Sequence, residues 1–206
     1  MDTNINLENF SPTQIRRKTD ITEKLLFIEK PTDIFSHNDF AINFDFELVT
    51  KGKTSQELSS TNGFIGEKEN LFIEEGATIE FSTLNCKTGK IYIGKNAEIM
   101  EGSNIRGSLA LCEDSKINLG TKLYGGTTIG PHSKVGGEVN NIVIFGYSNK
   151  GHDGFLGNSV VGEWCNLGAD TNSSNLKNNY ASVKLWNFRK KRFLDTGLQF
   201  CGLIMG

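Results

Sequence analysis

An aliphatic side chain recurs at every sixth residue through the middle of the chain. The repeat is unbroken from residue 93 to residue 135 and consists of Ile93, Ile99, Ile105, Leu111, Ile117, Leu123, Ile129 and Val135. A period of six matches neither the 3.6 residues of a helical turn nor the two-residue alternation of a plain strand. It is the period of a hexapeptide β-helix, in which each unit is one short strand and one corner, with the aliphatic side chain inside a prism. The sequence therefore predicts an all-β fold built on a parallel β-helix.

Glycine and asparagine fall near the predicted corners, where a tight turn needs a positive φ angle that these residues tolerate. The chain has 23 glycines and only 3 prolines in 206 residues. That composition suits a turn-rich β structure better than a disordered chain.

The hexad register also predicts where the β-helix begins and where it is interrupted. It begins at residues 71–73 and slips by two residues across residues 85–90, which predicts a protruding loop. After Val135 the register is lost over residues 141–154. Such breaks mark insertions, and insertions on one face of a repeat array are common places for binding sites.

Beyond the second break the register returns, shifted by two, with Phe155, Val161 and Leu167 as the expected inward positions. Residues 170–196 lack hexads and are expected to form a hairpin or arm that leaves the prism, with the basic run 189–192 at its tip. That run is either a solvated turn or a contact for an anion such as phosphate or CoA.

The segment before the repeat has a different pattern. Residues 25–29 are expected to form a short strand, and Pro31 opens a helix that Gly52 ends. Residues 51–66 form a linker rich in Ser, Thr and Gly. The predicted division is thus an N-terminal segment, residues 1–66, and a β-helix domain, residues 67–206.

Composition excludes several classes of function. With 22 basic and 24 acidic residues, the net charge of −2 gives no reason to expect a nucleic acid or an anionic membrane as partner. No apolar run approaches 18 residues, and the N-terminus lacks a signal-peptide core. The four cysteines have no metal-ligand spacing, so reduced thiols in a cytoplasmic protein are expected.

One stretch, residues 151–177, has a specific motif pattern. It contains Gly151-His152, Phe155-Leu156-Gly157, Val161-Gly162, Asn166-Leu167-Gly168-Ala169-Asp170-Thr171 and Asn175. This pattern resembles the acetyltransferase domain of the bifunctional UDP-N-acetylglucosamine pyrophosphorylase/glucosamine-1-phosphate N-acetyltransferase family. Residues 130–157 look most like the form found in Bacteroidetes among sugar nucleotidyltransferase-like proteins. The resemblance covers about residues 65 to 206.

The resemblance implies a left-handed β-helix that forms a homotrimer with active sites between subunits. His152 would be the general base for N-acetylation of glucosamine 1-phosphate by acetyl-CoA, a step of UDP-N-acetylglucosamine synthesis. The backbone N–H of Ala169 would stabilise the oxyanion. Asn166 and Asn175 would bind the sugar and its acyl group, and Lys177 would meet a phosphate.

The chain also departs from the family pattern. Phe155 stands where the family usually has Tyr, and Asn140 stands where a basic residue is expected. The coils that would follow Gly206 and the pyrophosphorylase half are absent, so residues 25–50 look like the tail of that half. Mg²⁺ is expected only if such a half exists. Because an uncapped last coil would expose its apolar cross-section, the chain is expected to be an inactive fragment of a longer protein.

Two other functions compete with acetyl transfer. The first is a non-catalytic trimerisation or regulatory module of a sugar nucleotidyltransferase, which the departures at Phe155 and Asn140 favour. The second is a γ-class carbonic anhydrase, which needs three metal-binding histidines, whereas the predicted β-helix contains only His132 and His152. For the asparagines, the structural alternative to sugar binding is a ladder of amides along a corner of the prism.

Overall fold

The computed structural model describes residues 25–206 and shows a parallel β-helix with one α-helix on its flank. A short 3-10 helix, Lys68–Asn70, lies between the first two strands. The other elements follow the order α1 (Pro31–Thr50), β1 (Gly63–Ile65), β2 (Leu71–Ile73), β3 (Thr78–Ile79), β4 (Thr83–Asn85), β5 (Ile91–Ile93), β6 (Glu98–Ile99), β7 (Asn104–Arg106), β8 (Leu109–Leu111), β9 (Lys116–Ile117), β10 (Lys122–Tyr124), β11 (Thr127–Ile129), β12 (Lys134–Val135), β13 (Glu138–Ile144), β14 (Asn149–Lys150), β15 (Phe155–Val161), β16 (Lys184–Asn187), β17 (Arg192–Asp195) and β18 (Ile204–Met205).

Successive strands take turns on three walls of the coil. The first wall contains β1, β4, β7, β10 and the first halves of β13 and β15. The second wall contains β2, β5, β8, β11, the second halves of β13 and β15, and β18, while β3, β6, β9, β12 and β14 form the third. The predicted all-β parallel β-helix is therefore confirmed. Its left-handed sense stays a prediction from the resemblance.

The hexad side chains fill the interior as predicted. All eight positions from Ile93 to Val135 are at most 2% exposed. They stack between coils: Leu111 pairs with Ile93 below and Ile129 above, and Ile117 lies between Ile99 and Val135. Each buried aliphatic side chain of this size contributes roughly 1.5–3 kcal/mol relative to leaving it in water. The six-residue period therefore corresponds to one wall of the coil, with the aliphatic side chain at the same inward position of each wall.

The first predicted slip in register is confirmed. Ile73 pairs with Ile93, twenty residues further on, whereas Ile93 pairs with Leu111 after only eighteen. The additional residues lie at the corner between β4 and β5, where residues 86–90 form a longer connection than the two residues that join β7 to β8.

The predicted insertion after Val135 is wrong, because the coil there is shorter than its neighbours. Ile129 pairs with Ile144 and Val135 with Lys150, fifteen residues apart in both cases. Two of the three missing residues are lost at the corner between β12 and β13, because Leu123 pairs with Val139 after only sixteen residues. The third is lost at Asn141, which adopts a φ of 52° within the continuous strand β13 and turns the next corner alone. The register change therefore marks a tighter coil and no protruding loop.

Phe155 is also wrongly predicted as an inward position. Leu156 is fully buried and pairs with Val139 of the coil below, whereas Phe155 is only half-buried. Val161 and Leu167, at 1% and 5% exposure, are confirmed as inward residues.

The predicted helix is confirmed as α1, which packs on the outer face of the second wall. Its buried side chains include Phe35, Ile42 and Phe46. Asn38 anchors the helix by donating to the Gly126 carbonyl (2.6 Å) and accepting from the Thr128 hydroxyl (2.8 Å). By contrast, Leu48 and Val49 in the last turns of α1 are 71% and 41% exposed.

The segment between the helix and β2 belongs partly to the coil. Gln56 donates its backbone N–H to the Ile73 carbonyl (2.8 Å), and β1 pairs with β4 of the first wall. The solenoid thus begins before residue 66, and the division into two segments at that residue stays a prediction. The strand predicted at residues 25–29 is wrong, because none of the sheets formed by the described residues supplies a partner strand for it.

The predicted hairpin arm is confirmed. β16 and β17 pair antiparallel, and the turn between them contains Arg189, Lys190 and Lys191. The chain then returns to the coil, where β18 pairs with β15. Among residues 25–206, no helix has both the length and the apolar character required to cross a membrane.

Candidate functional site

His152 lies on the corner between the third and first walls. Residues 151–154 connect β14 to β15, and the side chain of His152 is exposed, with no hydrogen-bond partner among residues 25–206. Gly154 occupies a φ of +116°, which L side chains rarely adopt. A Cβ atom there would lie 2.3 Å from the Thr171 carbonyl oxygen. The corner with the imidazole is thus packed directly on the next coil.

The corner of the next coil carries Ala169. Bridges from Asn149 to Asn166 and from Leu156 to Ser173 place residues 168–171 directly over residues 151–154. Thr171 donates its N–H to the Gly168 carbonyl (3.3 Å), which closes the turn. Within the described part of the chain, the N–H of Ala169 donates to no recorded acceptor, and the residue is exposed. An imidazole and an uncommitted amide therefore occupy two adjacent corners.

Two side chains, one from the same coil and one from a lower coil, hold the backbone of the His152 corner. Asn118 donates its amide to the Gly151 carbonyl (2.7 Å), and this reach crosses the intervening coil at Gly136, which has no side chain to block it. Lys150 donates its ammonium to the carbonyls of His152 (2.6 Å) and Gly136 (3.0 Å). The backbone of this corner is consequently fixed by polar side chains of the same chain.

Lys150 is an inward residue of the third wall. It pairs with Val135, is 2% exposed and occupies a place where the coils below have Ile or Val. Burial lowers the pKa of its ammonium below the ordinary value, while the carboxylates of Asp153 and Asp170 act in the opposite direction. Lys150 is not found from the sequence pattern because it lies fifteen residues after Val135 and so falls outside the six-residue register. Its inward position could be predicted only if the coil were known to be three residues shorter.

A second cluster of polar residues lies at the edge between the first and second walls. Asn141 donates to the Phe35 carbonyl (2.8 Å) and accepts from the Asn158 amide (3.0 Å). Asn175 in turn donates its amide to Asn158 (2.6 Å). These side chains, together with Asn140, Phe155 and Phe200, line an open groove of about 470 Å³. The cluster is the amide ladder that the sequence allows as the structural alternative for Asn175.

The structure thus separates the candidate site residues into two groups. His152 and Ala169 occupy adjacent corners, and Asn166 is exposed on the third wall just before the second of these corners. Asn175 belongs to the amide ladder, and Lys177, at the start of the arm, donates its ammonium to the Ser182 carbonyl (2.8 Å). Their assignment to sugar and phosphate binding stays a prediction.

His132 occupies a different corner, between β11 and β12. Its ring stacks on Tyr147, with centroids 5.0 Å apart, and Tyr147 stacks on Trp164 at 4.8 Å. His132 and His152 therefore lie on different edges of one subunit. In residues 25–206, no group of three or more His, Cys, Asp or Glu side chains is arranged to hold a metal ion.

Comparison with known proteins adds no assignment. No protein-family model matches the chain, and no curated protein matches it. The resemblance of residues 151–177 to acetyltransferases therefore stays a prediction from the sequence motif.

Proposed function

We propose that this chain is the hexapeptide-repeat acyltransferase domain of a sugar nucleotidyltransferase of the bifunctional family that it resembles. The proposed reaction is N-acetylation of glucosamine 1-phosphate by acetyl-CoA, on the route to UDP-N-acetylglucosamine in the cytoplasm. One observation carries the proposal: the exposed imidazole of His152 and the uncommitted N–H of Ala169 lie on adjacent stacked corners.

Formation of the amide is accelerated by a general base and by a donor to the oxyanion, and these two groups supply them. The 2-amino nitrogen attacks the thioester carbonyl carbon, the C–S bond breaks, and CoA leaves as a thiolate that takes up a proton. His152 accepts the proton that the amine loses, and a placed imidazole contributes about 10²–10⁴-fold to such a step. The N–H of Ala169 donates to the oxygen that becomes negative, an interaction typically worth about 2.7–4 kcal/mol of barrier.

The openness of the site supports its completion by another subunit. His152, Asn166 and Ala169 are all exposed in the single chain, and the asparagine-lined groove lies on another edge. A homotrimer would bring a neighbouring wall against these corners and exclude water from them, as the resemblance implies.

Acetyl-CoA-dependent acetylation of glucosamine 1-phosphate tests the proposal, with the whole gene product that contains this chain as enzyme. We expect His152→Asn to lower kcat by about 10²–10⁴-fold. The matched control is His132→Asn, a second exposed corner histidine, which should leave kcat unchanged. Equal activity of wild type and His152→Asn would remove His152 from the mechanism.

A non-catalytic trimerisation or regulatory module is the second candidate. The hydrogen bond from the Asn175 amide to Asn158 favours this function, because Asn175 was expected to bind the sugar and instead pairs within the fold. This function predicts that the wild-type gene product forms trimers but acetylates no amino-sugar phosphate.

A further inference from the structure

Lys150 is a charged side chain in an aliphatic core, and the proposed reaction does not use it. Its neighbour below on the third wall is Val135. Its neighbour above is Leu167, because the preceding residues of the two coils, Asn149 and Asn166, form a bridge. Both neighbours are at most 5% exposed. Burying an ammonium group is costly unless hydrogen bonds and charges compensate it. The contacts of the ammonium therefore indicate what the lysine does.

The hydrogen bonds of the ammonium join the His152 corner to the Gly136 corner of the coil below. The ammonium donates to the His152 carbonyl at 2.6 Å and to the Gly136 carbonyl at 3.0 Å. It is attracted by Asp153, which follows His152, and by Asp170, which follows Ala169. One buried cation thus interacts with the residue that carries the imidazole and with a carboxylate from each of the His152 and Ala169 corners.

We propose that Lys150 is a positioning residue, whose buried ammonium ties the His152 corner to the Gly136 corner of the coil below. This inference rests on the proposed function of His152 and names the group that orients it. Asn118 restrains the preceding carbonyl, that of Gly151, so the two side chains hold consecutive peptide groups. Restraint of the backbone matters because a misplacement of about 1 Å in an active site can cost about 100-fold in rate.

Lys150→Met tests the inference, because methionine keeps the length and apolar stem of lysine and removes the charge. Loss of the buried charge relieves its desolvation, whereas loss of the donor leaves the His152 and Gly136 carbonyls unpaired. Because these effects oppose each other, we expect the variant to fold with a melting temperature within about 10 °C of that of the wild type. We expect kcat for acetyl transfer to fall by about 10–100-fold, with KM for acetyl-CoA unchanged. Lys150→Leu, which matches the Leu167 side chain, serves as a second variant if the methionine variant does not fold. Ile117→Met, a core change two coils away, should leave kcat unchanged.

A readout that does not depend on activity comes from the histidine rings. The chain contains three histidines, His37 in α1, His132 and His152, so ring-labelled protein should give three resolvable sets of NMR signals. In Lys150→Met we expect the His152 signals to shift and broaden, while those of His37 and His132 stay in place.

The two readouts separate the possible failures. Unchanged His152 signals in Lys150→Met would overturn the positioning role, whatever the activity. A full kcat in a folded Lys150→Met variant would overturn it as well. Changed His152 signals in a protein whose wild type transfers no acetyl group would support the positioning role and contradict the proposed function.

Discussion

Leu111→Ala should destabilise the β-helix strongly, because Leu111 is fully buried in the middle of the second-wall stack. It lies between Ile93 and Ile129 in the ladder of β5, β8 and β11. The change removes three carbon atoms, worth about 2.4 kcal/mol at ~0.8 kcal/mol each. The cavity left between the coils adds to this, so the total loss should be about 2–5 kcal/mol in the free energy of unfolding.

Leu119→Ala provides a matched control for this prediction. Leu119 undergoes the same chemical change eight residues further on, but it is 65% exposed at the corner between β9 and β10. Urea unfolding followed by circular dichroism measures both variants. For a domain of this size, the loss in Leu111→Ala corresponds to a drop in melting temperature of about 4–20 °C. A loss below about 1 kcal/mol in Leu111→Ala, or an equal loss in Leu119→Ala, would refute the inward stacking of the hexads.

Two further predictions concern the helix and the buried lysine. Asn38→Ala removes the side-chain hydrogen bonds by which Asn38 anchors α1, so urea unfolding should show a loss of about 1–3 kcal/mol in the free energy of unfolding. The exposed Asp45→Ala should stay within ~0.5 kcal/mol, and equal effects of the two changes would contradict the anchoring role. Because burial lowers the pKa of Lys150, the unfolded chain binds more protons than the folded one in the alkaline range below the ordinary lysine value of 10.5. The stability of Lys150→Met relative to wild type should therefore be greatest near neutral pH and decline as the pH rises towards 10.5, and a constant difference across that range would contradict the buried charge.

The sequence alone determines the fold class, because a six-residue aliphatic period has no other structural source. Every hexad position from Ile93 to Val135 is buried, and the hairpin with its basic turn is where the loss of hexads predicts it. The strand predicted at residues 25–29 is absent from the structure. An apolar run becomes a strand only with a partner, and pairing depends on distant parts of the chain.

The coil after Val135 shows why register is harder to predict than period. A corner built on one residue with positive φ, such as Asn141, shortens a coil, and the pattern of apolar residues does not distinguish shortening from insertion. Phe155 and Leu156 are adjacent and both apolar, so either one satisfies the hexad pattern. The structure selects Leu156 because it continues the strand register of Val139.

The candidate site was predictable only in part for the same reason. His152 and Ala169 are found by motif, and the stacking of their corners agrees with the seventeen residues that separate them in the sequence. The role of the Asn175 amide in the ladder and the inward position of Lys150 depend on which coils are neighbours. The length of each coil determines which residues of successive coils lie next to each other, and the sequence pattern does not reveal that the coil after Val135 is shorter.

The most direct test of the acyl-transfer site is a crystal structure of the gene product with acetyl-CoA and glucosamine 1-phosphate bound. We expect the thioester oxygen to lie about 2.7–3.1 Å from the Ala169 nitrogen and the sugar amine within about 2.6–3.2 Å of a His152 ring nitrogen. Ligands bound elsewhere, with both corners facing only solvent, would contradict this expectation.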